Sequence, residues 1–130
     1  MLEKYLIGDG SLKNVVENGR VTGFQFDVRI GYYRHLGLSM VEGFDVTVDG
    51  VLYPREKNLF TVRGKTYSYE QMEVEYNDYW EFGEFAILTI PKEGGLRPGV
   101  HQVEIVETLR VSYMPVMSYA RAKKELTLAA

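Results

Sequence analysis

Hydrophobic and polar residues alternate along most of this chain with a period of two, which is typical of β-strands. From Phe24 to Ile30 every second residue is apolar, and residues 44–49 repeat the pattern. The nearly continuous apolar run from Phe85 to Ile90 predicts a central strand that is buried on both faces. About eight or nine short strands at hairpin spacing predict a single antiparallel β-sandwich, resembling a flattened barrel.

Glycine-containing dipeptides mark the turns between several of these strands. Asn18-Gly19 and Asp49-Gly50 separate apolar runs by two residues, which predicts type I′ hairpins with positive φ at both central positions. Arg63-Gly64 predicts a further hairpin after the strand that contains Phe60 and Val62.

Helix signals are few. Residues 68–71 begin with Ser and end with Gln, which predicts one helical turn with a capping box. Ser118 is positioned to cap a short helix that runs to Glu125. We therefore predict one all-β domain over residues 1–130, in which residues 114–130 form an extended or helical tail.

Composition narrows the classes of function. A chain of 130 residues with 45% hydrophobic and 25% charged residues suits one globular domain that needs no disulfide, and it contains no cysteine. The net charge of −3 argues against nucleic acid as the main partner. The N-terminal residues do not resemble a signal peptide, and no apolar run reaches the ~20 residues of a membrane span. We expect a cytoplasmic protein that binds no membrane.

Candidate catalytic residues are sparse. The chain has two histidines, and neither lies in a metal-ligand motif; His101 is predicted to be an exposed histidine at a strand end. Glu73 and Glu75 are predicted to share one strand face, where they are more typical of a solvated edge than of an acid–base pair. Residues 8–11 are glycine-rich but predict a turn, and no Gly-x-Ser-x-Gly motif is present. We therefore expect no catalytic residue and no metal ligand on this chain.

Aromatic residues make up 13% of the chain and cluster where the alternation fails. Tyr, Trp, Met and Arg are enriched at the centres of protein interfaces, whereas at least half of the aromatic residues are expected to fill the core. Three clusters therefore predict a partner-binding surface or an active-site entrance, formed by Tyr32, Tyr33, Arg34, His35, Tyr79, Trp80, Phe82, Tyr113, Met114 and Met117.

Several stretches in combination resemble the small β subunit of bacterial C-glycoside deglycosidases. The resemblance spans most of the chain, and none of its elements is a catalytic signature. It is carried by Ser11–Val15, Val21–Arg34, Leu38–Glu42, Trp80–Gly83, Gly94–Gly99 and Ser112–Val116.

The resemblance implies a β-sandwich-like accessory subunit of a carbon–carbon lyase. Such a subunit assembles into a hetero-oligomer with a larger α subunit, a TIM barrel that resembles sugar-phosphate isomerases and epimerases and carries a divalent metal, often manganese. The complex cleaves the bond between a 3-oxo sugar and an aromatic aglycone, such as a flavonoid, by C2 deprotonation and elimination. The base and the metal ligands belong to the larger subunit in this family, which also binds most of the substrate.

Two other hypotheses remain open at this point. The chain could be a free-standing carbohydrate-binding β-sandwich module, which exposed aromatic residues would also suit. It could be a small independent enzyme that uses Glu73 or Glu75, although nothing else in the sequence supports that chemistry.

Overall fold

The computed structural model describes residues 6–31, 35–110 and 118–129. Within these ranges the chain forms eleven strands, one short helix α1 (Tyr69–Glu73), and 3-10 turns at Leu38–Met40 and Arg55–Lys57. The strands are β1 (Lys13–Glu17), β2 (Arg20–Val28), β3 (Leu36–Gly37), β4 (Val41–Val48), β5 (Val51–Tyr53), β6 (Leu59–Val62), β7 (Lys65–Tyr67), β8 (Tyr79–Trp80), β9 (Ala86–Pro91), β10 (Gly99–Leu109) and β11 (Ser118–Leu128).

The strands form two larger sheets and one small one. The first sheet has the order β1-β2-β9-β6-β7, the second has the order β11-β10-β4-β5, and β3 pairs with β8. Every strand pairing in the described ranges is antiparallel, and neither larger sheet closes into a barrel. The prediction of an all-β antiparallel fold is confirmed.

The core lies between the two larger sheets. Phe44 of β4 stacks on Phe60 of β6 with 5.6 Å between the ring centroids, and Phe24 of β2 meets Tyr53 of β5 edge to face. The strand β9 lies at the centre of its sheet, as predicted. However, its buried residues alternate with half-buried ones, so its outer face is only partly covered.

The predicted turns are confirmed. Positive φ occurs at both central residues of each hairpin: 53° and 75° at Asn18-Gly19, 49° and 85° at Asp49-Gly50, and 49° and 81° at Arg63-Gly64. These values are those of type I′ turns, whose twist matches that of the flanking strands. The capping box is also present, because Ser68 and Gln71 each accept a hydrogen bond from the other's backbone N–H.

The predicted C-terminal helix is wrong. Residues 118–128 form β11, which pairs with β10 along its whole length, from Gly99 opposite Leu128 to Leu109 opposite Ser118. Ala, Arg, Lys and Glu have high helix propensity, but propensity is weaker than tertiary pairing. The alternation of buried Ala122, Leu126 and Leu128 with exposed polar residues has the period of a strand.

Two further predictions from the sequence are wrong. His101 is buried rather than exposed, because it lies on the inward face of β10. Its Nδ1 lies 2.6 Å from Asp49 Oδ2, and its Nε2 lies 2.7 Å from the carbonyl oxygen of Arg97. Glu73 and Glu75 do not share a strand, since Glu73 ends α1 and Glu75 follows it in a loop.

Candidate partner-binding surface

One end of the sandwich brings together the segments that the sequence singles out. The strands β2 and β10 end there, and β4, β9 and β11 begin there. The backbone N–H of Gly31, just after β2, donates a 2.5 Å hydrogen bond to Glu107 Oε1 of β10, which ties the two sheets together at this point. We call this region the loop end; it comprises Gly31, residues 35–40, residues 79–85 and Arg110.

Six of the ten predicted contact residues lie outside the described residues. They are Tyr32, Tyr33, Arg34, Tyr113, Met114 and Met117. Their predicted role in partner binding therefore stays a prediction. The structure describes the other four, which are His35, Tyr79, Trp80 and Phe82.

His35 and Tyr79 lie together on the surface of the loop end. Their rings meet edge to face with 5.1 Å between centroids. The contact is set by the short β3–β8 pairing, in which Leu36 lies opposite Trp80 and Gly37 lies opposite Tyr79. Both side chains are exposed, so the pair is accessible to a partner or a ligand.

Trp80 does not lie on the exposed surface, so the described structure does not offer its side chain to a partner. It is fully buried, with its ring 5.0 Å from that of Phe60 and 5.7 Å from that of Phe44. Its indole Nε1–H donates to the carbonyl oxygen of Glu84 at 3.0 Å, which satisfies its one polar group. Side chains alternate along a strand, so the inward position of Trp80 turns Tyr79 outward. Phe82, on the following turn, is 53% exposed.

Arg63 holds this segment in place, and sequence reasoning missed it. Its guanidinium donates to both carboxylate oxygens of Glu84 at 2.5 and 2.6 Å, to the carbonyl oxygen of Tyr79 at 2.5 Å, and to Asp78. Nη1 contacts both Glu84 oxygens, while Nη2 contacts Asp78 and the Tyr79 carbonyl, so charge-assisted hydrogen bonds from one guanidinium connect three positions of this segment. These partners lie 15 to 21 residues from Arg63 in sequence, so no local pattern could have predicted the contacts.

Tyr67 completes the network around Asp78. Its hydroxyl donates a 2.7 Å hydrogen bond to Asp78 Oδ2. This bond favours the protonated phenol and the ionised carboxylate, so it is the main cause that raises the pKa of Tyr67 to about 12 and lowers the pKa of Asp78.

Glu107 is the second residue that sequence reasoning missed. It lies on the inward face of β10 between Ile105 and Leu109 and has no exposed surface. Burial raises its pKa to about 8, outweighing the opposite effect of the Gly31 N–H, so the carboxyl is mostly protonated at neutral pH. Its Oε2 has no hydrogen-bond partner among the described residues. The alternation along β10 could have revealed it, because Glu107 stands where the pattern calls for an inward-facing apolar residue.

The described residues do not form a metal centre. No group of three or more His, Cys, Asp or Glu side chains comes together in the ranges that the structure covers. In the same ranges, no helix is both long and apolar enough to cross a bilayer.

Fold and surface together define a small all-β protein that presents a fixed aromatic surface. The sequence matches the family model of the C-glycoside deglycosidase beta subunit over residues 2–113. The chain therefore belongs to this family, which confirms the resemblance and makes it a subunit of a deglycosidase with a partner subunit.

Individual relatives are also named as deglycosidase beta subunits. The C-glycoside deglycosidase beta subunit of Eubacterium cellulosolvens is 31% identical over 115 residues, which cover 88% of this chain and 78% of the relative. A beta subunit of Arthrobacter globiformis is 33% identical, covering 72% of each chain. The 3'-dehydrocarminate deglycosidase beta subunit of a Microbacterium species is 29% identical, covering 83% of this chain and 77% of the relative.

Proposed function

We propose that this chain is the non-catalytic β subunit of a hetero-oligomeric lyase that cleaves the carbon–carbon bond between a 3-oxo sugar and an aromatic aglycone. The observation that carries the proposal is the family match over residues 2–113. The name of the Microbacterium relative specifies a 3'-dehydro substrate, which supports a sugar oxidised at C3.

The chemistry explains why the sugar must be oxidised first. A C-glycoside has no glycosidic oxygen to protonate, so the two-carboxylate route of ordinary glycosidases is not open to it. A ketone at C3 makes the C2 proton acidic, so that a general base can remove it. The electron pair left at C2 then forms the C1–C2 double bond. The aglycone leaves C1 with the bonding pair and takes up a proton.

We assign the general base to a larger TIM-barrel α subunit that resembles sugar-phosphate isomerases. A divalent metal, often manganese, in that subunit would stabilise the developing enolate charge. The described residues of the present chain supply a surface instead. His35 and Tyr79 would pack against the partner near the active-site entrance. Arg63 would hold the segment that contains Tyr79, and Glu107 would hold Gly31, which lies close to His35 in sequence.

Co-expression with the adjacent reading frames, followed by purification through a tag on this chain, tests the proposal. We expect a barrel protein to co-purify at equal stoichiometry with a bound divalent metal. Aglycone release from a 3-oxo-C-glycoside should require the complex and should stop when a chelator is added.

Two outcomes would contradict the proposal. Cleavage by this chain alone in the presence of chelator would indicate an independent enzyme. Glycan binding by the isolated chain, together with failure to recover any partner, would indicate a carbohydrate-binding module.

A further inference from the structure

Exposed apolar side chains concentrate in one segment of the described chain. In the ranges that the structure describes, ten large hydrophobic residues are exposed, and half of them fall between residues 74 and 85. Single exposed hydrophobic residues are normal on a protein surface, whereas several of them on one short segment favour an interaction site. The five are Val74 (66% exposed), Tyr76 (71%), Tyr79 (48%), Phe82 (53%) and Phe85 (42%).

The same segment is strongly acidic. Residues 70–85, which we call the acidic segment, contain six carboxylates, and no Lys, Arg or His occurs anywhere from residue 66 to residue 91. Arg63 pairs with Asp78 and Glu84. Among the described residues, none of the other four carboxylates has a cationic partner within ion-pair distance. These four are Glu70, Glu73, Glu75 and Glu81.

The acidic segment is held in a defined conformation. Its backbone carbonyls at Glu75 and Asp78 accept hydrogen bonds from the backbone N–H groups of Ser39 and Leu38 at 3.1 and 3.0 Å. Buried Trp80 and the guanidinium of Arg63 fix it further along the chain. A surface that is already ordered loses little conformational entropy when it binds, so its exposed apolar residues are prepared for docking.

The negative charge of the acidic segment limits the kinds of molecule that can bind to it. Phosphate groups of nucleic acids and anionic lipid headgroups would be repelled by it. A two-fold contact of this surface with a second copy would place the acidic segment against itself. A protein surface with Lys or Arg around an apolar centre is complementary, and those cations could also pack on the rings of Tyr76 and Phe82. The ring of Phe85 is already covered on one face by the guanidinium of Arg29, 3.9 Å from its centroid.

We propose that the acidic segment is the docking surface for the larger subunit, and that the larger subunit meets it with a basic rim around an apolar centre. This inference rests on the proposed function, which supplies the partner. It extends the predicted contact surface to Val74, Tyr76 and Phe85.

The affinity of this full-length chain for the purified larger subunit, measured at about 50 mM and about 500 mM NaCl, tests the inference. The segment variant is Glu73→Lys/Glu81→Lys, and its matched control is Glu56→Lys/Glu125→Lys, which changes the net charge equally at exposed positions elsewhere. An apolar pair, Tyr76→Ser/Phe82→Ser, has Val51→Ser/Leu52→Ser as its control. Fluorescence of Trp80 verifies that each variant is folded.

We expect added salt to weaken binding of the wild-type chain. Both segment variants should raise Kd about tenfold or more at low salt, and the charge variant should lose most of its salt dependence, while both controls bind like the wild type. If the wild-type complex forms and is active but the segment variants bind no more weakly than their controls, the acidic segment is not the docking surface, and the proposed function is unaffected. Failure of the wild-type chain to bind the larger subunit would overturn the proposed function instead.

Discussion

Glu107 makes the stability of this protein depend on pH in a predictable direction. The unfolded carboxyl has an ordinary pKa of 4.5, whereas in the fold burial raises the pKa to about 8. Between these two values the unfolded chain has lost its proton and the folded chain has kept it. The unfolded state then binds fewer protons, so the free energy of unfolding falls as the pH rises.

The magnitude follows from the two pKa values. Each pKa unit corresponds to about 1.4 kcal/mol. The titration of Glu107 therefore lowers the free energy of unfolding by about 4–5 kcal/mol between acidic pH and pH above 8. About 3 kcal/mol of this decrease has already occurred at pH 7. The substitution Glu107→Gln removes the titration and retains an oxygen that can accept the hydrogen bond of Gly31 N–H. The buried amide of Gln adds a cost, but that cost does not change with pH.

Urea unfolding followed by the fluorescence of Trp80, the single tryptophan, measures this effect. The chain and its E107Q variant would be compared between about pH 4.5 and about pH 8.5, where we expect their difference in unfolding free energy to shift by about 4–5 kcal/mol in favour of the variant. Glu104→Gln, on the outward face of the same strand, is the matched control and should follow the wild type. Parallel pH profiles for wild type and E107Q would refute the reasoning.

Three further predictions concern the loop end and the Tyr67–Asp78 pair beside it. Gly31→Ala should destabilise the fold by about 1–3 kcal/mol, because the new Cβ would lie 2.5 Å from Ala120 Cβ, and adding Ala120→Gly should restore much of the loss in thermal unfolding. Trp80→Ala should cost about 3–5 kcal/mol in denaturant unfolding monitored by circular dichroism, as expected for an emptied core site; a loss below about 1 kcal/mol would contradict its burial. Asp78→Asn should bring the pKa of Tyr67 from about 12 back towards 10.0, as followed by NMR of the labelled ring; an unchanged pKa would contradict the hydrogen bond.

Local patterns in the sequence predicted much of the fold. The hairpins at Asn18-Gly19 and Asp49-Gly50 and the capping box at Ser68 depend on residues within a few positions of one another, so the sequence alone reveals them. The C-terminal strand is not predicted by local pattern, because Tyr119, Ala122 and Leu126 are also spaced as on one face of a helix that Ser118 could cap, and only pairing with β10 makes the segment a strand.

The candidate site was less predictable because its contacts are long-range. Arg63 reaches Glu84 across 21 residues, and Glu107 reaches Gly31 across 76. Trp80 was expected on the surface because it lies in an aromatic cluster, and nothing local shows that a strand of two residues turns it inward. His35 and Tyr79 are both predicted as contact residues because they lie in aromatic clusters of the sequence, but the contact between them depends on the pairing of β3 with β8.

The central claim is that this chain contributes to a deglycosidase without supplying its chemistry. It is tested most directly by adding the purified chain in steps to the purified, metal-loaded larger subunit and measuring the rate of aglycone release from a 3-oxo-C-glycoside. We predict that the rate rises until the two chains are equimolar and then stays constant, and that this chain alone releases nothing. A rate that does not change as the chain is added, or release by this chain alone, would contradict the account.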